Sequence, residues 1–222
     1  MTTLRKITAG IVSFLLPFFL LMTAIRLVFQ PVFLQVEYNA PGFPPDPYGF
    51  TIEDRLKWGE ISLDYLFNDA GISFLADQRL PDGTPLYNER ELGHMLDVKN
   101  LVQLMVKVWL GLFVALALGL IWAWRGNWVP EFGRAFARGG WLTLGIIGAI
   151  LIAIVVSFDW LFTAFHRIFF TGDSWLFLYS DSLIRLFPLR LWQDGFIAMG
   201  IVTALLAIIF ILGGNLLARK RA

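Results

Sequence analysis

Apolar positions along this chain gather into four long runs, with polar stretches between them. A helix crossing a bilayer core takes about 20 apolar residues, with a working range of roughly 17–25. Residues 7–29, 101–124, 141–158 and 196–217 each meet that need. The first run is longer than the 7–15-residue core of a signal peptide, and no small-x-small cleavage site follows it. It reads as a retained anchor. Between the first two runs the pattern changes. The segment "NAPGFPPDPYGF" holds too much proline for helix or central strand. In "TIEDRLKWGEISLDYLFN", Thr51 with Asp54 three residues on predicts a helix start. Leu56, Ile61, Leu63, Leu66 and Phe67 then mark an apolar face at helical spacing. "LPDGTPLYN" is a turn, and Asn88 with Glu91 predicts a second helix start that runs on into the second apolar run.

Composition agrees with this reading. The chain is 57% hydrophobic with mean hydropathy +0.67, against about 45–50% apolar residues in ordinary soluble domains. Absence of cysteine excludes disulfides, thiol catalysis and cysteine-ligated metal or iron–sulfur sites. A net charge of +1 makes no case for nucleic acid. The placement of charge says more. Arg5 and Lys6, then Arg125, Arg134 and Arg138, then Arg219, Lys220 and Arg221 fall in alternate connecting regions, which the positive-inside rule assigns to the cytoplasm. Residues 37–100 carry five basic and twelve acidic residues and face outward.

The fold class expected is therefore an all-α integral membrane protein. It has four transmembrane helices, a small, mostly helical extracytoplasmic domain and an interfacial segment. Residues 1–36 hold the first transmembrane helix and 37–100 the extracytoplasmic domain. Residues 101–124 are the second helix, 125–140 a cytoplasmic link and 141–158 the third helix. Residues 159–195 form the interfacial segment, where aromatic rings and snorkelling arginines are at ease. Residues 196–222 make the fourth helix and a basic cytoplasmic tail. Gly111, Ala115 and Gly119, with Gly145 and Gly148, predict close helix packing.

Candidate chemistry centres on histidine, of which the chain has two. His94 precedes the second apolar run by seven residues, and His166 follows the third by eight, so both are expected at one depth on the outer side. Glu91 and Asp97 share the helix face of His94 at i−3 and i+3, and a carboxylate there would hold the imidazole in one tautomer. Asp159 and Asp173 stand near His166 in the sequence. Glu91 and His94 have the i, i+3 spacing of di-iron bundles, but a second such pair is missing, so no metal and no cofactor is expected. Arg26 lies near the outer end of the first run and is a functional candidate, as cations in spans are by default. Lys107 lies about 9 Å into the second run and off the histidine face.

"ELGHMLDVKNLV" before a span, "FHRIFFTGDSWLF" after the next one, and "SDSLIRLFP" just beyond resemble the lipoprotein intramolecular transacylase family. The resemblance covers four spans, the order of the outer regions and both motifs. It implies an enzyme of the bacterial cell membrane, multi-pass, with both termini cytoplasmic and its active site facing outward. The implied substrates are diacylglyceryl-modified lipoproteins within membrane lipid. One acyl chain would pass from the glycerol to the α-amino group of the N-terminal cysteine, leaving a lyso-form lipoprotein. By motif, His94 and His166 are the catalytic positions, with Asp97, Asp173 and Trp175 beside them. With Glu91 and Arg26 these complete a candidate substrate-binding set.

The residues suit that chemistry. The substrate amine itself attacks, so no enzyme nucleophile is required. General-base help from histidine is worth on the order of 10²–10⁴-fold, and a second imidazole can serve the oxyanion or the leaving group. His94 is taken as base and His166 as partner, with the reverse assignment open. A serine acyl-enzyme through Ser174 also stays open, although no G-x-S-x-G elbow is present. The competing class is a non-catalytic membrane transport or assembly subunit. Transport sites use broken helices and inverted repeats, neither of which the sequence announces. Oligomeric state is not legible.

Overall fold

The computed structural model describes residues 2–219. Lys220 and Arg221 of the basic tail lie outside the described residues. The fold is all-α. Its helices are α1 (Thr3–Val28), α2 (Pro31–Tyr38), α3 (Ile52–Phe67), α4 (Ser73–Ala76), α5 (Glu89–Arg125), α6 (Val129–Phe169), α7 (Ser182–Leu186) and α8 (Leu189–Arg219). Among the described residues, α1, α5, α6 and α8 are long and apolar enough to cross a membrane. The chain is thus a multi-pass membrane protein.

The chain divides into two compact units. The first gathers the residues up to Leu27, Val106–Val156 and those from Ile197 onward. Glycine sets its closest approaches. A Cβ on Gly139 would lie 2.8 Å from Leu16 Cβ, and one on Gly133 would lie 2.5 Å from the Gly214 carbonyl oxygen. These positions, rather than the expected stripe, bring α6 against α1 and α8. Gly111, Gly145 and Gly148 face open space, and Gly119 alone of the expected glycines meets a neighbour, the Phe132 ring at 3.1 Å. The spacing of small residues was legible, but which of them faces a helix was not. Trp109 donates to the Thr23 hydroxyl at 3.0 Å, joining α5 to α1.

The second unit is Val28–Met105 with Ser157–Phe196, so the two outer regions of the sequence fold as one body. Both expected helix starts form as capping boxes. Thr51 accepts from the Asp54 amide and Asp54 from the Thr51 amide. Asn88 and Glu91 exchange the same pair of bonds at 2.8 and 3.0 Å. The core contains Trp58, Tyr65, Leu66, Leu75, Leu86, Tyr87, Met95, Leu183 and Leu186. The proline-rich stretch is fastened by side chains. Arg55, buried, donates to the carbonyls of Pro44 and Arg185, and Arg185 pairs with Asp46 at 3.0 Å. Lys99, also buried, donates to the Ala70 carbonyl and to the Asn68 side chain, with its ammonium 4.0 Å from the Tyr65 ring centre.

Helix α6 departs from the expected continuous span. Ser157 has φ −162° and ψ 90°, so the helix breaks there, and the Ser157 hydroxyl accepts from the Trp160 amide at 3.4 Å to restart it. The break stands one residue before the expected end of the span. The expected link 125–140 is also largely helical, because α6 begins at Val129.

Candidate functional site

Both histidines belong to the second unit. His94 lies in the second turn of α5, ahead of the apolar run, where Glu89, Arg90, Glu91, Asp97 and Lys99 crowd the helix. His166 sits in the last turn of α6, on the helical piece restarted at Ser157. The imidazole rings are stacked with centroids 6.1 Å apart and planes 23° apart. Each residue is 8% exposed.

Aromatic rings enclose the pair. Phe170 and Phe177 stand edge-on to His94 at 4.9 and 5.3 Å. Phe162, Trp175 and Phe170 lie 4.1, 4.8 and 5.6 Å from His166. Such surroundings favour neutral rings. Burial pushes His94 below the ordinary histidine value, and the neighbouring imidazole adds to this. Burial likewise lowers His166, against an opposing contribution from its hydrogen bond. That bond runs from Nδ1 to the Phe162 carbonyl at 2.8 Å. A carbonyl only accepts, so Nδ1 carries the proton and Nε2 presents its lone pair. His94 Nδ1 is buried with no hydrogen-bond partner among the described residues.

The carboxylates do not play the expected part. Glu91 is 1% exposed, but its two oxygens accept from the Asn88 amide at 2.8 Å and the Leu183 amide at 2.7 Å, and among the described residues it makes no bond to His94. Asp97 is exposed, as are Asp159 and Asp173, and none of them bonds an imidazole among the described residues. Spacing at i±3 therefore does not report which partner a carboxylate reaches: Glu91 and His94 are buried, whereas Asp97 is exposed. Trp175, by contrast, covers His166 and donates from its indole to the Gly172 carbonyl at 3.1 Å. Ser174 donates to the Thr171 carbonyl at 3.3 Å, so its hydroxyl is not engaged by either histidine. Arg26 lies in the last turn of α1, in the first unit. The sequence reading overlooked Phe162, Phe170 and Phe177. The i−4 spacing from Phe162 to His166 and the alternation of "WLFLY" were the available signals.

Four membrane-length helices and a buried pair of imidazoles under aromatic cover define a membrane-integral protein with an enzyme-like site. Solved structures share the fold. The membrane-integral lipoprotein intramolecular transacylase Lit from Bacillus cereus matches 100% of this chain and 99% of its own, at TM-score 0.81 and 19% identity. A variant of that protein with one histidine replaced by arginine matches 98% of this chain and 93% of its own, at TM-score 0.74 and 19% identity. An uncharacterized protein of Aquifex aeolicus (strain VF5) is 29% identical over 218 residues, covering 96% of this chain and 95% of its own. The family model for lipoprotein intramolecular transacylase Lit matches residues 10–192, and the chain belongs to that family. It is accordingly a transacylase acting on lipoprotein substrates in a membrane, and the alternative of a non-catalytic transport or assembly subunit is set aside.

Proposed function

We propose that this chain moves one acyl chain from the diacylglyceryl group of a bacterial lipoprotein to the α-amino group of its N-terminal cysteine, by histidine acid–base chemistry. The observation that carries the reading is the convergence of the chain's two histidines, 6.1 Å apart and buried. That separation leaves them able to flank one reacting carbonyl.

The geometry favours His166 as the base, the reverse of the first assignment. Its Nδ1 proton is fixed on the Phe162 carbonyl, so Nε2 can accept a proton. The neutral α-amine attacks the ester carbonyl and passes a proton to His166 as the C–N bond forms. His94, whose Nδ1 has no protein partner, donates to the developing oxyanion. On collapse the ester C–O bond breaks, and the protonated His166 returns its proton to the leaving glycerol oxygen. The products are an amide and a lyso-form lipoprotein. Donor ester and acceptor amine belong to one molecule, so proximity supplies much of the rate. The acidic balance of residues 37–100 and the basic connecting regions support an outward-facing site with both termini cytoplasmic.

Mass spectrometry of a lipoprotein N-terminus, from cells expressing wild type, His94→Ala or His166→Ala, tests this reading. Each substitution should lower N-acylated lyso-form product by on the order of 10²-fold or more. Undiminished product from either variant would refute that residue's role.

A further inference from the structure

The segment between α6 and α7 has no regular structure, yet its side chains are sorted by side. Trp175 and Phe177 are half-buried and lie on the two imidazoles, 4.8 Å from His166 and 5.3 Å from His94. Leu176 and Leu178, alternating with them, are 45% and 70% exposed. This is the period-two alternation of an extended chain. Its inner aromatics close over the histidines, and its outer aliphatics face away.

What holds this strap in place comes from Asn88, just before α5, and from the first turn of that helix. Arg90 donates to the Leu176 carbonyl at 3.0 Å. Asn88 donates to Asp181 at 3.2 Å, and the other Asp181 oxygen accepts from the Leu178 amide at 2.8 Å. Helix α7 receives no cap bond from the side chain of its own N-cap residue, Asp181. Glu91 supplies that acceptor from α5, taking the Leu183 amide at 2.7 Å. Its other oxygen closes the α5 capping box. One buried carboxylate thus ties the start of the His94 helix to the end of the strap.

We propose that residues 175–178 form a strap that keeps water from the imidazole pair, and that Glu91 is the positioning residue that fastens it. The inference rests on the acyl-transfer reading above and concerns the choice of acceptor. A histidine that takes a proton from an amine can take one from water. The ester then gives a free fatty acid and the glycerol hydroxyl, with one water consumed, and no amide forms. Closing a site against water suppresses such a side reaction. Glu91 therefore acts through the strap, at a distance from the reacting atoms.

The test uses the full chain in lipid nanodiscs with a synthetic diacylglyceryl-cysteine peptide, measuring both N-acyl peptide and released fatty acid. Wild type should transfer with little fatty-acid release. Glu91→Ala should raise the released fraction by about tenfold, the scale set by losing a buried acceptor. Glu91→Gln, which keeps one acceptor oxygen, should fall between. Trp175→Ala removes the cover and leaves Glu91 in place, and it should raise the fraction as well. Arg90→Ala, a change at an exposed position, should raise it by less. An unchanged ratio of fatty acid to amide in Glu91→Ala, whatever its total rate, would overturn the proposal. Should that variant fail to fold, an unchanged ratio in both Trp175→Ala and Arg90→Ala would do the same. Failure of wild type to form any amide would instead sink the acyl-transfer reading itself.

Discussion

The Nδ1 proton of His166 points at a backbone carbonyl, that of Phe162. No side-chain substitution removes that acceptor, so the tautomer is built into the helix. Both rings are also held toward their neutral forms by burial. It follows that neither imidazole limits the rate as pH falls through 6.5. The limiting group is the substrate α-amine, whose ordinary value is about 7.7–8.0 and which attacks only when neutral. kcat/KM measured from pH 5.5 to 10 should rise with its midpoint near about 7.7–8.0, level off about one unit higher, and show no inflection at 6.5. An inflection there that His166→Ala abolishes would contradict this. At this scale the sequence was generous with identity and poor in partnership. Two histidines in the whole chain made the pair easy to find. The role of Glu91 was not legible, because its second partner, Leu183, is 92 residues away. Spacing along a helix reports which face a carboxylate shares, and only the fold reports what it touches. The aromatic cover was hidden for the same reason, since phenylalanine next to a membrane span looks like lipid-facing bulk.

Helix starts were legible because their chemistry is local. Both capping boxes lie within four residues of sequence and form as expected. Thr51→Ala should lower stability by about 1 kcal/mol, read as a drop in the thermal midpoint in detergent. The break at Ser157 was not legible, because neither glycine nor proline marks it. The proline-rich stretch 39–50 offered no regular element to predict, and the structure shows what orders it. Asp46 accepts from Arg185 and from the Phe50 amide, while the Arg185 guanidinium lies 3.4 Å from the Phe50 ring centre. Burial works against the Asp46 carboxylate, but its bonds from Phe50, Arg185 and Tyr48 outweigh it and hold the group below the usual value. A carboxyl depressed in the folded state contributes stability above its unfolded value, about 3.9, and loses it as pH falls through the folded one. The thermal midpoint should therefore drop below about pH 4, and Asp46→Asn should lower it at neutral pH while removing that acid step.

Across the whole molecule, four membrane-length helices were plain from hydropathy, and the matching of solved membrane-integral structures follows. Joining of residues 37–100 with 159–195 into one body was not plain, since it rests on contacts made far apart in sequence. Packing within the membrane unit was half legible. Gly139→Leu, meeting Leu16 Cβ and the Ser13 carbonyl, should cost about 1–3 kcal/mol. Gly145→Ala, which meets nothing, should leave the thermal midpoint unchanged or slightly higher. Because the chain lacks cysteine, orientation can be read by adding one. Asp82→Cys should react with an impermeant maleimide on intact cells, and Arg134→Cys only after permeabilisation. The opposite pattern would invert the topology.

Enclosure of both imidazoles also makes them slow targets for a reagent that carbethoxylates histidine. Each ring can be attacked only while the aromatic cover is displaced, so the modification rate becomes a clock for how often it lifts. With two histidines in the chain, mass mapping would assign that rate ring by ring, in the absence of any lipoprotein.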